Sequence, residues 1–161
     1  MNNADAVRTK RLIIYPLSDG EMENMIDMEL NKGLKQAYSQ MLGGCQRNPD
    51  QRIWHAIWNM QLNDKTGRSV GDLSFKGLST DGRVEIGYGI RKEFEGQGYM
   101  TEAVTAMARW ASGQMGVRYV EAETDPDNLA SQRVLEKAGF RPNGIAGAEG
   151  PRFVFKELKG R

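Results

Sequence analysis

"VEIGYGIRKEFEGQGYMTEA" runs from Val84 to Ala103. Its first half alternates as a strand does, with Val84, Ile86, Tyr88 and Ile90 on one face and Glu85, Gly87 and Gly89 on the other. Its second half has two glycines, Gly96 and Gly98, followed at once by helix-forming residues. A bare turn feeding a helix gathers unpaired N–H groups at the positive end of the helix dipole. Phosphate oxygens suit such a place because no side chains block the backbone. A structural turn packed tightly before a helix has the same pattern, so the stretch alone leaves both readings open. Two familiar phosphate motifs do not fit. A P-loop needs Lys-Ser/Thr after its last glycine, where this chain has Tyr99-Met100. A dinucleotide fingerprint needs a third glycine at position 101, which is Thr101, and an early parallel strand–turn–helix unit.

Upstream, "RLIIYPL" (11–17) reads as a first strand, with Ser18 or Asp19 capping a helix over 21–30. A second short helix is expected near 34–42, broken by Gly43-Gly44 and Asn48-Pro49. Three strands follow in an antiparallel meander. In "IWHAIWNMQLN" the alternation puts Trp54, Ala56, Trp58, Met60 and Leu62 on one face and Ile53, His55 and Ile57 on the other. In "VGDLSFK" Leu73 and Phe75 oppose Asp72 and Ser74; "RVEIGYGI" is the third strand. Downstream, Val104, Met107, Ala108 and Ala111 keep helical spacing up to Gly113. "VRYVEAET" is a strand, "DPDNLASQRVLEKAGF" a helix capped by Asn128 and stopped at Gly139, and "GPRFVFKEL" a last strand. The order β, α, α, three β, α, β, α, β is α/β with a mixed sheet.

Composition limits the function classes. The chain has 161 residues, favouring one domain spanning 1–161. With 22 Lys+Arg against 21 Asp+Glu, no excess charge draws it to nucleic acid or to an anionic membrane. The longest apolar runs are strand-sized, and the start "MNNADAVRTKR" lacks the apolar stretch of a secretion signal. A soluble, cytoplasmic protein is the expectation. Cys45 is the only cysteine and His55 the only histidine, too few for a His/Cys zinc site or an internal disulfide. The "GGCQRNP" context of Cys45 reads as a loop with an inert thiol.

The run from "VEIGYGIRKEFEGQGYMTEA" through "TDPDNLASQRVLEKAGF" resembles the GNAT N-acetyltransferase superfamily, most of all its branch of ribosomal-protein-alanine (Rim-type) N-acetyltransferases. The opening "TKRLIIYPL" is similar to that branch's first strand. The resemblance implies a single-domain fold with a mixed, mostly antiparallel central sheet flanked by helices. It implies acetyl-CoA as co-substrate, with no metal. The family pattern Arg/Gln-x-x-Gly-x-Gly/Ala falls on Glu95-Gly96-Gln97-Gly98-Tyr99-Met100, so the amides from there to Thr101 are the implied pyrophosphate holders. Gly98 fits the pattern; Glu95 and Met100 depart from it. The pantetheine arm is implied to run along the Gly87/Gly89 strand, opposite a splayed strand 119–124. Gly89 would be in contact, and the Ile90 amide would face the thioester carbonyl, a preset donor of the oxyanion-hole kind.

The resemblance also places Asn128 on the pantetheine, a role compatible with capping because a cap uses only its oxygen. Leu135 stands where much of the superfamily has a tyrosine acid; Ser131, one turn earlier, is the acid the Rim-like branch implies. An ordinary surface serine is the plain alternative. A protonated amine needs a base before it can attack. Glu85 is the first candidate, against a structural ion pair; Asp72 is second and His55 third. The acceptor is a peptide N-terminus or a small-molecule amine, shaped by 18–52 and by "NGIAGAEG" (143–150). Asp19, Glu21, Glu23, Asp27 and Glu29 either attract a cationic amine or form a solvated helix face. A homodimer through the terminal strands is a family-level expectation. The rival function is a catalytically silent acyl-CoA-binding regulatory module.

Overall fold

A computed structural model describes residues 5–156. Its strands are β1 (Val7–Arg8), β2 (Leu12–Pro16), β3 (Ile57–Leu62), β4 (Ser69–Phe75), β5 (Arg83–Ile90), β6 (Tyr119–Glu123), β7 (Phe140–Ala146) and β8 (Pro151–Phe155). They form one sheet in the order β1-β2-β3-β4-β5-β6-β8-β7. Only β5 and β6 run parallel; every other neighbouring pair is antiparallel. The helices are α1 (Asp19–Met28), α2 (Lys32–Arg47), α3 (Tyr99–Ser112) and α4 (Leu129–Lys137). The fold is the expected α/β arrangement, with β1 and β7 added. The proposed last strand ends at Phe155; its final Glu157 and Leu158 lie outside the described residues. Among the described residues no helix is long and apolar enough to cross a membrane.

Two apolar clusters divide the faces of the sheet. Leu12, Ile14, Trp58, Met60, Leu73, Phe75, Val84 and Ile86 join Val104, Met107 and Leu135 from α3 and α4. Tyr15, Leu17 and Ile57 meet Met22, Tyr38 and Cys45 from α1 and α2 on the other side. Each β2 and β3 residue follows the two-residue period, so sequence parity alone assigns its face.

Three expectations are corrected. The strand through "IWHAIWNMQLN" starts at Ile57, because Pro49–Trp54 forms a 3-10 turn whose end is capped by His55. Trp54 reaches the same core from that turn, packing against Phe75 and Trp110, whereas Ala56 belongs to the other cluster. Secondly, α2 runs through Gly43-Gly44 to Arg47. A Cβ on Gly44 would approach His55 Nδ1 to 2.8 Å, so this glycine makes room for a neighbour and does not break the helix. Thirdly, Cys45 is buried in α2 and not in a loop; burial raises its thiol pKa, consistent with an unreactive group.

Helix starts are specified locally. Ser18 accepts from Glu21 N (3.1 Å) while Glu21 accepts from Ser18 N (3.0 Å), a capping box that opens α1. Asn31 caps α2 through Leu34 N at 3.0 Å. Val70 is skipped in the β3–β4 register, where Gly71 pairs with Met60 and Ser69 with Gln61. A Cβ on Gly71 would overlap the Gly89 carbonyl oxygen of β5. Gly71→Ala therefore forces β4 off β5, and urea unfolding should show a loss of about 1–3 kcal/mol.

Candidate active site

The site begins where two strands separate. β5 pairs with β6 only at Arg83↔Tyr119, Val84↔Val120 and Glu85↔Glu121. Beyond Glu121, β6 continues with β8 instead, through Ala122↔Phe153 and Glu123↔Arg152. The last five residues of β5 thus keep a neighbour on the β4 side only. Arg91 N donates to Val70 O at 2.8 Å, across β4. Strand alternation then turns the Ile90 N–H the other way, towards the gap.

One cavity of about 750 Å³ fills that gap. It brings together Gly89, Ile90, Glu95, Gly96, Gly98, Tyr99, Met100, Thr101, Asn128 and Ser131, with Tyr88, Arg133 and Lys137 among its other lining residues. Gln97 is the one residue of the anticipated cofactor set outside its lining; its side chain turns back to Glu93 O (3.2 Å). Gly96 and Gly98 have φ of +75° and +82°, left-handed values that favour glycine. No side chain caps α3 at Gly98, so its first-turn N–H groups are available to a ligand. A Cβ on Gly96 would meet nothing within 4 Å, an opening at the turn itself. Met100 is buried in the core and Glu95 is exposed at the rim. An adjoining hollow shares Gly98, Thr101 and Lys137 and adds Arg8 and Arg109. Bare amides, cations and a cavity lined from the glycine turn to Gly89 and α4 fit a pyrophosphate with a narrow arm.

The turn is fastened from far upstream. Arg11 donates to Gln97 O (3.0 Å) and Glu102 Oε1 (2.7 Å), and lies 4.1 Å from the Tyr99 ring centre. Glu102 also accepts from Arg11 N (2.8 Å) and the Thr9 hydroxyl (2.5 Å). Partial burial works to raise the Glu102 pKa, but these bonds outweigh it and hold the carboxyl below its ordinary range.

On the opposite face lies a groove of about 1080 Å³. Its floor is set by register: Asn59, Asp72 and Gly89 align across β3, β4 and β5, as do Ile57, Ser74 and Gly87. Added Cβ atoms on Gly87 and Gly89 would meet nothing within 4 Å, which keeps this floor low. Tyr38 and Glu21 come from the helices, Glu29 from the C-cap of α1 and Glu149 from the β7–β8 loop. Asp19 instead pairs with Arg52 at 2.6 Å, and Glu23 and Asp27 line a separate hollow between α1 and α2. Groove and cavity share Tyr88, Gly89 and Ile90.

The three base candidates part company here. Burial raises the Asp72 pKa, and Glu29 adds to the rise; Arg91 and a hydrogen bond from Tyr38 oppose it. The Tyr38 hydroxyl, buried and facing Asp72, is pushed up to about 12. Glu85 shares the Gly87/Gly89 face, as expected, but lies four residues from Gly89, roughly 13 Å along the strand. There it accepts from Lys76 (2.6 Å) and Arg152 (3.0 Å) in a hollow that also contains His55. Burial, then Arg47, lowers the His55 pKa.

Ser131 N donates to the Asn128 side chain at 3.0 Å, which fixes the first turn of α4. Ser131 Oγ lies 2.8 Å from the Tyr88 hydroxyl. Burial raises the Tyr88 pKa, with the Ser131 bond opposing it. Sequence reading placed Tyr88 only on the apolar face; its hydroxyl at the end of that face was the available signal. Arg133 and Lys137 were missed too, though their i, i+4 spacing places both cations along one side of α4.

The raised Asp72 pKa has a calculable sign. A carboxyl that holds its proton more tightly when folded contributes most below its unfolded pKa. That contribution is lost as pH rises through the higher folded value. Asp72→Asn should therefore gain thermal stability over wild type from about pH 4 upwards. The gain should level off once Asp72 is ionised, as followed by unfolding midpoints across pH.

Residues 3–141 match the family described as acetyltransferase (GNAT) domain. A probable N-acetyltransferase, YjcK of Bacillus subtilis, is 48% identical over 61 residues, 38% of this chain and 34% of that protein. An uncharacterized N-acetyltransferase, YjdG of Bacillus subtilis, is 38% identical over 72 residues, 44% of this chain and 43% of that one. The matches thus span well under two thirds of these relatives' lengths. In fold, the chain is similar to an acetyltransferase from Agrobacterium tumefaciens (TM-score 0.72, 19% identity, 98% of this chain and 97% of that one). It is also similar to RimL, a ribosomal L7/L12 alpha-N-protein acetyltransferase in complex with coenzyme A (TM-score 0.70, 14% identity, 93% and 95%). With the family matched over most of its length, and the splayed strands and bare turn in place, the chain belongs to the GNAT acetyltransferase domain family.

Proposed function

We propose that residues 1–161 act as one acetyl-CoA-dependent N-acetyltransferase domain that acylates a primary amine by direct aminolysis. One observation carries this reading. The cavity behind β5 and the groove in front of it meet at Tyr88, Gly89 and Ile90, so two reactants can approach one strand from opposite sides. Acetyl-CoA supplies the acyl group already activated as a thioester. The α3 first-turn amides, with Arg133 and Lys137, hold the phosphates, and Asn128 holds the arm. The Ile90 N–H donates to the thioester oxygen as negative charge develops there.

Asp72 serves as the base. It faces the groove beside Gly89, and its raised pKa brings it closer to that of the ammonium it must deprotonate, directly or through one water. Glu85, the first candidate on sequence, is held by Lys76 and Arg152 and acts in this reading as an anchor. Ser131, bonded to Tyr88, passes a proton to the leaving sulfur. Since a thiol near pKa 8.5 leaves tolerably well as thiolate, this step contributes less than the base. The similarity to RimL, a ribosomal L7/L12 alpha-N-protein acetyltransferase, supports a peptide N-terminus as acceptor; the groove also accommodates a small amine.

Thiol release with a panel of peptides and amines tests the reading. Asp72→Asn should lower kcat/KM about 10²–10⁴-fold near neutral pH, with partial recovery at higher pH as the free amine accumulates. Glu85→Gln should stay within about tenfold with an unchanged pH profile. The reverse ranking would return the base role to Glu85. Coenzyme A binding without transfer to any amine would favour the silent-binder alternative. Glu102→Gln should weaken coenzyme A binding about tenfold by calorimetry, since the turn loses its charged anchor while every phosphate contact stays in place.

A further inference from the structure

We propose that Glu123, at the end of β6, is a positioning residue that sets acceptor affinity by holding the β7–β8 loop against the groove. The inference rests on the acetyl-transfer reading above. One carboxylate gathers the loop. Glu123 Oε2 accepts from Glu149 N at 2.6 Å, and Oε1 accepts from Arg152 at 2.5 Å. Gly147 lies so close that an added Cβ would overlap the same carboxylate. Gly147 N donates to Gly150 O at 2.8 Å, closing the turn around it. The Glu149 N–H, followed by Arg152, holds the Glu123 carboxyl below its ordinary range, so it stays an acceptor across neutral pH.

The groove depends on this attachment. Glu149 is the one residue of the β7–β8 loop in its lining, and its backbone amide is the very group Glu123 holds. Arg152 in turn spans Glu123, Glu121 (3.4 Å) and Glu85 (3.0 Å), tying the loop to the point where β5 and β6 part. Glu123 itself lines neither the cavity nor the groove, so its action on an acceptor passes through Glu149, whose amide it holds. The Glu149 carboxylate, on a wall so placed, is suited to hold a cationic amine before Asp72 deprotonates it.

Two variants disturb the attachment in different ways: Glu123→Gln removes the charge, and Gly147→Ala keeps the charge but pushes the loop away. Amide hydrogen exchange at Glu149 should quicken in both. Acceptor KM should rise about tenfold, with kcat and the acetyl-CoA KM within about twofold of wild type. Faster exchange with an unchanged acceptor KM would overturn the inference. So would both KM values rising together, which marks a general loss of structure. A wild type that acetylates no amine in the panel would sink the underlying reading, and this inference with it, before either variant is made.

Discussion

Everything at the site depends on the parting of β5 and β6 after three paired residues. Two parallel strands with full pairing would use every backbone donor on that side of β5 and leave no cavity. β6 is instead drawn away by its antiparallel bonds to β8, while β5 stays with β4. Charges secure the branch point. Glu121 is nearly buried and meets Arg83 at 2.7 Å and Arg152 at 3.4 Å, so removing one partner would leave a carboxylate poorly solvated. Below this pivot the sheet is continuous; above it lies a gap lined by exposed main chain.

Asp72 and Glu85 show how environment separates like groups. They lie on one face of the sheet, on neighbouring strands, and both are acidic. Glu85 has two cationic partners within 3.0 Å. Asp72 has a phenol, a nearby second carboxylate and little solvent, balanced by Arg91. The Glu85 carboxylate is committed to its two ion pairs; Asp72, which burial makes reluctant to ionise, is the one left to accept a proton.

Much of this was legible in the sequence because strand parity and glycine placement are local facts. Val84 to Ile90 specified which face would be bare, and Glu95 to Thr101 specified a turn entering a helix. Both survive in the structure with the expected neighbours. Partners were not legible. Nothing near Glu85 in sequence indicates Arg152, and nothing near Asp72 indicates Tyr38, which comes from α2, well upstream in the chain. The same limit explains Gly43-Gly44: read alone, two glycines suggest a break, but packing of Gly44 against His55 makes a small residue a requirement there within an unbroken helix.

Thr9 and Arg11 reach across some ninety positions to hold Glu102 and the Gln97 carbonyl. The recognisable signature from Val84 to Phe140 is consequently not a separable module. A fragment containing every signature residue would still lack the β1–β2 turn that fastens the entry to α3. Selection on that signature must extend to the N-terminal segment that fastens it.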